Sequence, residues 1–269
     1  MNLRGEIAVI AGCGAMGGSI ARHLASEGAY VALLDKDAGT VESVGQSLRP
    51  YEVKTLGMTV DLVNSEQVDD AFKNVRATLG TPTILVNVLG GIVRFAEHKP
   101  LYSWTDAEWE LVRSVNLDYV FKTCRAALTY MIEARKGSIV NISSVSGMLT
   151  PPGQSPYAAA KSAVISLTRT MALECGRYGI RVNSVAPGNI DNRPPVVTES
   201  FAPQVELLRS TAGIIPLGRF GTLEDISRAV LYLVSPEASY VTGHTLTVDG
   251  GMMLRHPLPL PGSHPTEAP

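Results

Sequence analysis

The sequence predicts an α/β domain built as a doubly wound, seven-stranded parallel sheet with helices on both faces. Three observations predict it. Short apolar runs alternate with helical patterns along almost the whole chain, which calls for parallel strands joined by crossover helices. The first apolar run breaks into a glycine turn that opens a helix. Neither a linker nor a short internal repeat divides the 269 residues, a length that one large domain fills.

Taken in order, Glu6 to Ala11 is a strand that breaks at Gly12-Cys13-Gly14-Ala15-Met16-Gly17-Gly18, and a helix follows to Gly28. Tyr30 to Leu34 has the unbroken apolar character of a strand buried on both faces, and Asp35 closes it. A helix over about Ala38 to Leu48 leads to a strand over about Val53 to Val60 and then Asp61-Leu62. The helix from Ser65 stops at Gly80, a residue type suited to the left-handed turn that ends helices. Ile84 to Asn87 is the fourth strand and runs into Gly90-Gly91. Thr105-Asp106-Ala107-Glu108 is a capping box, so a long helical stretch starts there and carries Asn116, Phe121 and Met131 toward Gly137. Ser138 to Ser143 is a strand, followed by Ser144-Val145-Ser146-Gly147. A helix opens at Ser155 and runs to about Glu174, and a strand over Ile180 to Ala186 ends in Pro187-Gly188. A second capping box, Thr222-Leu223-Glu224-Asp225, begins the last helix, and Leu246 to Val248 is the last strand.

Two segments depart from the alternation. Residues 192–215, rich in proline and polar residues after a strand's carboxyl end, read as a lid over a site. The domain then spans 1–255. The tail, 256–269, holds Pro257, Pro259, Pro261, Pro265 and Pro269, which excludes helix and strand and leaves either disorder or an arm laid on a neighbouring subunit.

Composition bounds the function. Hydrophobic residues make up 45% of the chain, enough for a substantial core, and a net charge of -2 gives no case for nucleic acid or an anionic membrane as partner. No apolar run is long enough to span a bilayer, and no basic-then-apolar leader precedes the first strand. Cys13, Cys124 and Cys175 are odd in number, far apart and not in metal-ligand spacing, so a reducing cytoplasm is the expected setting and no metal is expected.

Two motifs carry chemistry. Tyr157 and Lys161 are four apart on a helix, which puts an ammonium beside a phenol. A free tyrosine has a pKa near ~10, and lowering it by about three units needs on the order of 4 kcal/mol, which a neighbouring positive charge helps to supply. The pair is a candidate general base for a hydroxyl proton, or general acid for a carbonyl. In the glycine turn, Gly12 permits the tight bend, Gly14 lets backbone approach a pyrophosphate, and Gly17 lets the helix pack close to the strand. The helix N-terminus offers free N–H groups and a positive dipole end to phosphates. Asp35 sits where it accepts from ribose hydroxyls and repels a 2′-phosphate, which favours NAD over NADP; Lys36 beside it argues the other way.

With these residues placed, the chain from about Leu3 to Gly251 resembles the short-chain dehydrogenase/reductase family. The likeness is carried by the glycine turn, Asp61-Leu62, Asn116 in Val115-Asn116-Leu117, Ile139-Val140-Asn141-Ile142-Ser143-Ser144, Tyr157 with Lys161, Arg181-Val182-Asn183, Pro187-Gly188 and Val248-Asp249-Gly250-Gly251. Ser144 precedes Tyr157 by thirteen residues, the family's usual spacing, which marks Ser144 rather than Ser143 as the catalytic serine. The resemblance implies a Rossmann-type domain with NAD across the carboxyl ends of the strands. It implies that Tyr157 takes the hydroxyl proton of a secondary alcohol as hydride leaves for the nicotinamide. Lys161 would lower the tyrosine pKa and bind the nicotinamide ribose, Ser144 would hold the substrate oxygen, and Asn116 would hold a water of a proton relay. Asp61 and Leu62 would meet the adenine edge, Asn87 and Gly90 the adenosine side, and Ile190 the carboxamide. Met16, Pro187, Gly188 and Asn192 complete the expected cofactor contacts, and a homotetramer or homodimer through the long central helices is the expected assembly.

The chain departs from the family at Ala11 and Met16, where Thr and Gly are usual, at Asn87-Val88-Leu89-Gly90 in place of Asn-Asn-Ala-Gly, and at Asn192 in place of threonine. The substrate pocket is expected between 91–95, 146–154 and the lid. Arg94, His98, Lys99 and Arg193 are candidates for facing an anionic group, while Met148, Leu149, Ile214 and Ile215 suggest a partly apolar wall. The reading is a small or cyclic secondary alcohol oxidised to its ketone with NAD. The alternatives are a 3-oxoacyl-thioester reductase using NADPH and a non-catalytic NAD-binding regulator.

Overall fold

The computed structural model describes residues 1–91, 96–191 and 215–254. Asn192, the lid to residue 214, and the tail from 255 lie outside the described residues, as do Arg94, Arg193 and Ile214.

Seven strands form one parallel sheet: β1 (Ile7–Ala11), β2 (Tyr30–Asp35), β3 (Thr55–Thr59), β4 (Ile84–Asn87), β5 (Gly137–Ile142), β6 (Ile180–Pro187) and β9 (Thr245–Val248). Their order is β3-β2-β1-β4-β5-β6-β9. The chain therefore runs outward from β1 to β3, then returns to lay β4 on the other side of β1. This reversal opens a crevice at the carboxyl ends of β1 and β4, where Ala11 pairs with Asn87. A separate two-stranded parallel ribbon, β7 (Ile190–Asp191) with β8 (Gly221–Thr222), lies beyond the end of β6.

Helices cover both faces, which is why β1, β2, β4 and β5 are almost continuously apolar. α1 (Ala15–Ser26), α2 (Ala38–Leu48) and α7 (Leu223–Val234) share one buried cluster with Ile10, Leu33 and Val86. α3 (Ser65–Thr78), α5 (Tyr119–Ala134) and α6 (Ser155–Cys175) share the other with Val9, Leu85 and Ile139. The edge strand β3 is shorter than expected and its side chains alternate between half-buried and exposed, because it has a neighbour on one side only.

Both capping boxes form. Thr105 caps α4 (Asp106–Arg113) with Glu108 reaching back, and Thr222 caps α7 with Asp225 doing the same. The long helical stretch differs from expectation in one respect: between α4 and α5, residues Ser114–Asp118 widen into a π turn around Asn116.

The glycine turn is sterically forced. Gly12 has φ 101°, and a Cβ there would stand 2.5 Å from the Leu89 amide nitrogen. A Cβ on Gly17 would run into the Gly12 carbonyl oxygen, so only glycine lets α1 start this close to β1. Gly17→Ala is expected to cost about 1–3 kcal/mol by overpacking, lowering the melting temperature by several degrees and weakening dinucleotide binding. A thermal melt and a nucleotide titration unchanged from the native protein would contradict that.

Candidate active site

The carboxyl ends of β1, β4, β5 and β6 and the first two turns of α6 gather the candidate residues. α6 begins at Ser155 with Pro156 in its first turn, where a missing N–H does no harm. Tyr157 and Lys161 follow on one face. The turn after β5, Val145–Gly147, packs directly on this helix. A Cβ on Gly147 would stand 2.7 Å from the Lys161 carbonyl carbon, and the Ser162 hydroxyl donates to the Gly147 carbonyl at 2.6 Å. Ser144, at the head of that turn, accepts from the Ser146 amide at 3.1 Å, and its hydroxyl lies close enough to the Tyr157 phenol to lower the pKa of that group. The sequence spacing thus brings the serine and the tyrosine to the same end of the sheet.

Lys161 is 2% exposed, and its Nζ donates to the Ile142 carbonyl at 2.9 Å, the last residue of β5. Burial pulls its pKa from 10.5 down to about 8. Its Nζ lies 5.7 Å from the Tyr157 ring centroid. Burial raises the Tyr157 phenol above its ordinary value, and the opposing contribution comes from the Ser144 hydrogen bond.

Asn116 is fully buried and clamps a glycine. Its Oδ1 accepts from the Gly91 amide at 2.9 Å, while its Nδ2 donates to the Gly91 carbonyl at 2.9 Å and to the Val112 carbonyl at 2.8 Å. The π turn leaves the Val112 carbonyl available to that side chain. A Cβ on Gly90, whose φ is 139°, would stand 2.5 Å from Asn116 Oδ1 and 3.2 Å from Lys161 Nζ. Asn116, Gly90 and Lys161 therefore converge.

The other predicted residues divide. Gly14 has nothing within 4 Å of where a Cβ would be, and α1 starts there without a side-chain cap, leaving its N–H groups free. Asp35 does more than expected: Oδ2 accepts from the Cys13 amide at 2.7 Å and Oδ1 from the Asp37 amide at 3.1 Å, bracing the glycine turn against the end of β2. Asp61 is half-buried and accepts from the Val63 amide at 3.1 Å, with Leu62 buried beside it. Met16 is half-buried and packs against the α1 cluster. Pro187 ends β6, Gly188 donates to the Val248 carbonyl at 3.0 Å, and Ile190 is half-buried in β7. The Asn87 side chain is engaged within the protein. It is fully buried, its Nδ2 donating to Asn141 Oδ1 at 2.8 Å and its Oδ1 accepting from the Thr123 hydroxyl at 2.7 Å, so only its main chain faces the crevice.

This donor set fits a dinucleotide: an uncapped helix start for phosphates, a glycine with open space before it, and carboxylates at the ends of β2 and β3 for hydroxyl and base edges. Among the described residues, no cluster of His, Cys, Asp or Glu could hold a metal ion.

The profile of a protein family described as Enoyl-(Acyl carrier protein) reductase matches residues 11–253. A 2-(S)-hydroxypropyl-CoM dehydrogenase of Xanthobacter autotrophicus is 37% identical over 254 residues, 93% of this chain and 97% of its own. The chain belongs to the short-chain dehydrogenase/reductase family. A 3-oxoacyl-[acyl-carrier-protein] reductase of Thermotoga maritima is 36% identical over 94% of this chain and 100% of its own. The crystal structure of an NAD+-bound xylitol dehydrogenase superposes with a TM-score of 0.85 at 28% identity, covering 93% of this chain and 100% of that one. The protein is thus an oxidoreductase of the short-chain dehydrogenase/reductase family.

Lys99, expected to face an anionic group, is engaged within the protein. Its Nζ is paired with Glu108 at 2.5 Å and sits 5.1 Å over the Trp104 ring, so this cation is already neutralised. His98 is exposed on the same loop. The sequence offered a signal for this: Glu108 is also the capping-box carboxylate, and Lys99 lies nine residues before it.

Burial of Lys161 makes stability depend on pH. Below about pH 8 the amine is charged in both folded and unfolded chains, so the full desolvation penalty, about 3 kcal/mol, applies. Between pH 8 and 10.5 the folded chain releases the proton while the unfolded chain keeps it, and the penalty fades. The melting temperature of Lys161→Met relative to the native protein should therefore fall by several degrees from pH 7 to pH 10. A difference that stays constant across that range would contradict the buried-amine assignment.

Proposed function

We propose that the protein interconverts a secondary alcohol and its ketone with NAD as cofactor, with Tyr157 as the proton-transfer group. The observation that carries this reading is the Tyr157 phenol, its pKa lowered by the Ser144 hydroxyl, one helical turn from a buried Lys161 amine that stands beside Gly90. The bound dinucleotide supplies the hydride acceptor. Gly12, Gly14, Met16, Gly17, Asp61, Leu62, Gly90, Pro187, Gly188, Ile190 and Asn192 would hold it, with the main chain of Asn87.

In the oxidative direction, the Ser144 hydroxyl would hold the substrate oxygen and Tyr157 would take its proton, acting in the reverse direction as the acid. Lys161 would bind the nicotinamide ribose and favour the phenolate. Asn116 fixes Gly90-Gly91 and, with one carbonyl lone pair still available, would join Lys161 to solvent through water. Asp35 supports NAD, because a carboxylate at the end of β2 repels a 2′-phosphate; Lys36 beside it is exposed. The relatives named as 3-oxoacyl carrier-protein reductases favour a second reading, reduction of a 3-oxoacyl thioester with NADPH. The intact set of Asn116, Ser144, Tyr157 and Lys161 argues against a regulator without turnover.

A second copy of this chain is the proposed partner, docked on α5 and α6. Their outer faces expose Phe121 and Leu173 and flank a groove of about 330 Å³ lined by Leu128, Ile132, Leu167 and Met171. Sizing should give a tetramer or dimer, and Phe121→Asp should shift it toward monomer; a native monomer would refute this. Unpaired, buried Cys13, Cys124 and Cys175 are consistent with a reducing cytoplasm. Among the described residues, no helix is long and apolar enough to cross a membrane.

The deciding experiment follows nicotinamide reduction on a panel of secondary alcohols. Tyr157→Phe should lose about 10³-fold in kcat while binding NAD as before. Retained turnover sinks the mechanism. NAD should bind more tightly than NADP, and Asp35→Ala should narrow the gap; equal affinities in the native protein would contradict the cofactor assignment.

A further inference from the structure

Eight residues separate Ser146 from Gln154, yet their side chains meet: the Ser146 hydroxyl donates to Gln154 Oε1 at 3.2 Å. Both are half-buried. Ser146 is tied to the serine of the candidate site, because its amide donates to Ser144 Oγ at 3.1 Å. Gln154 is tied to the tyrosine, because its carbonyl accepts from the Ala158 amide at 2.8 Å in the first turn of α6, one turn from Tyr157. The pair thus spans the two groups that would hold the reacting oxygen.

Gln154 stands at the N-cap of α6 but does not act as a side-chain cap. Its Oε1 is engaged by Ser146, and its Nε2, with two N–H donors, has no partner among the described residues. The loop before it is held firmly from outside. The Lys99 amide donates to the Gly153 carbonyl at 3.1 Å, the Trp104 indole donates to the Lys99 carbonyl at 2.9 Å, and Lys99 Nζ is locked to Glu108. Gly153 itself has φ 82°, a conformation that favours glycine, which sets the direction in which Gln154 leaves the loop. Earlier in the same loop, Met148 and Leu149 expose apolar surface. An oriented amide whose donors no described residue engages, next to exposed apolar side chains, is an arrangement that selects a hydrogen-bond acceptor at one place on a ligand.

We propose that Gln154 is a specificity-determining residue, its amide N–H groups binding a second oxygen of the substrate one or two carbons from the reacting carbon. The substrates selected are secondary alcohols with a neighbouring hydroxyl or carbonyl, such as vicinal diols and 3-hydroxyacyl compounds, over simple alcohols. Lys99 is a positioning residue that acts through Gly153. This assignment rests on Tyr157 and Ser144 marking where the reacting oxygen sits.

The test compares native protein, Gln154→Leu and the isosteric Gln154→Glu, which keeps the acceptor for Ser146 but removes both donors. The probes are butane-2,3-diol, methyl 3-hydroxybutanoate and butan-2-ol. Each is titrated into the complex with NADH, read by nucleotide fluorescence, and each is assayed for turnover with NAD. Both variants should lower the preference for the oxygenated probes over butan-2-ol by about tenfold, the worth of one hydrogen bond in a partly dry site. Lys99→Met should lower the same preference in part, through KM rather than kcat, with Lys99→Arg restoring it. A preference within twofold of native in both Gln154 variants overturns the proposal, as does a native protein without preference. Absent turnover with the binding preference intact refutes the proton-transfer reading but supports the assignment of Gln154.

Discussion

An ammonium group 2% exposed to solvent, held by the carbonyl of Ile142, is the constraint on which the rest of the site depends. Lys161 cannot be moved without leaving either a buried charge or a buried carbonyl unpaired, each costing on the order of 1–3 kcal/mol or more. It therefore fixes α6 against the end of β5 at one depth. The Gly147 turn, pressed on the helix backbone, then fixes Ser144 relative to Tyr157. A strand end, a tight turn and one helical turn together determine the geometry of two hydroxyls.

A second layer of polar contacts holds the crevice open on its other side. Asn116 clamps Gly91, and Asp35 braces Cys13, so a side chain governs the main-chain path of both glycine segments that flank the β1–β4 crevice. Beneath them, Asn87, Asn141, Thr123 and Thr168 form a connected buried network that joins β4 and β5 to α5 and α6. Every one of these residues is fully buried, and each has hydrogen-bond partners. Such a network gives a single arrangement of strand ends, where a purely apolar interface would tolerate sliding.

The seven strands, their helices and both capping boxes were legible because each rests on local pattern: apolar runs, a glycine where φ turns positive, and Thr three residues before a carboxylate. The serine and tyrosine were legible because a fixed spacing along a strand–turn–helix unit maps onto a fixed distance. The ribbon of β7 and β8 was not, since two residues per strand carry no periodicity. The π turn was not, because it depends on the Asn116 amide finding Gly91 and Val112. The direction of the Asn87 side chain and the pairing of Lys99 with Glu108 are likewise tertiary facts. Sequence suggested a ligand for both side chains, and packing engages them within the protein.

The same loss of solvent that surrounds Lys161 raises the Tyr157 phenol above its ordinary value, and the Ser144 hydroxyl opposes it. The positive charge of a nicotinamide ring, once bound, would add to the influences that favour the phenolate. The most direct measurement is a titration of phenolate absorbance, taken as the difference between the native protein and Tyr157→Phe, with and without NAD. The account predicts that the Tyr157 signal appears at higher pH than that of a free tyrosine in the protein alone and moves to lower pH with NAD bound. A Tyr157 phenolate that ionises at the same pH in both, or one already present at neutral pH without NAD, would contradict it.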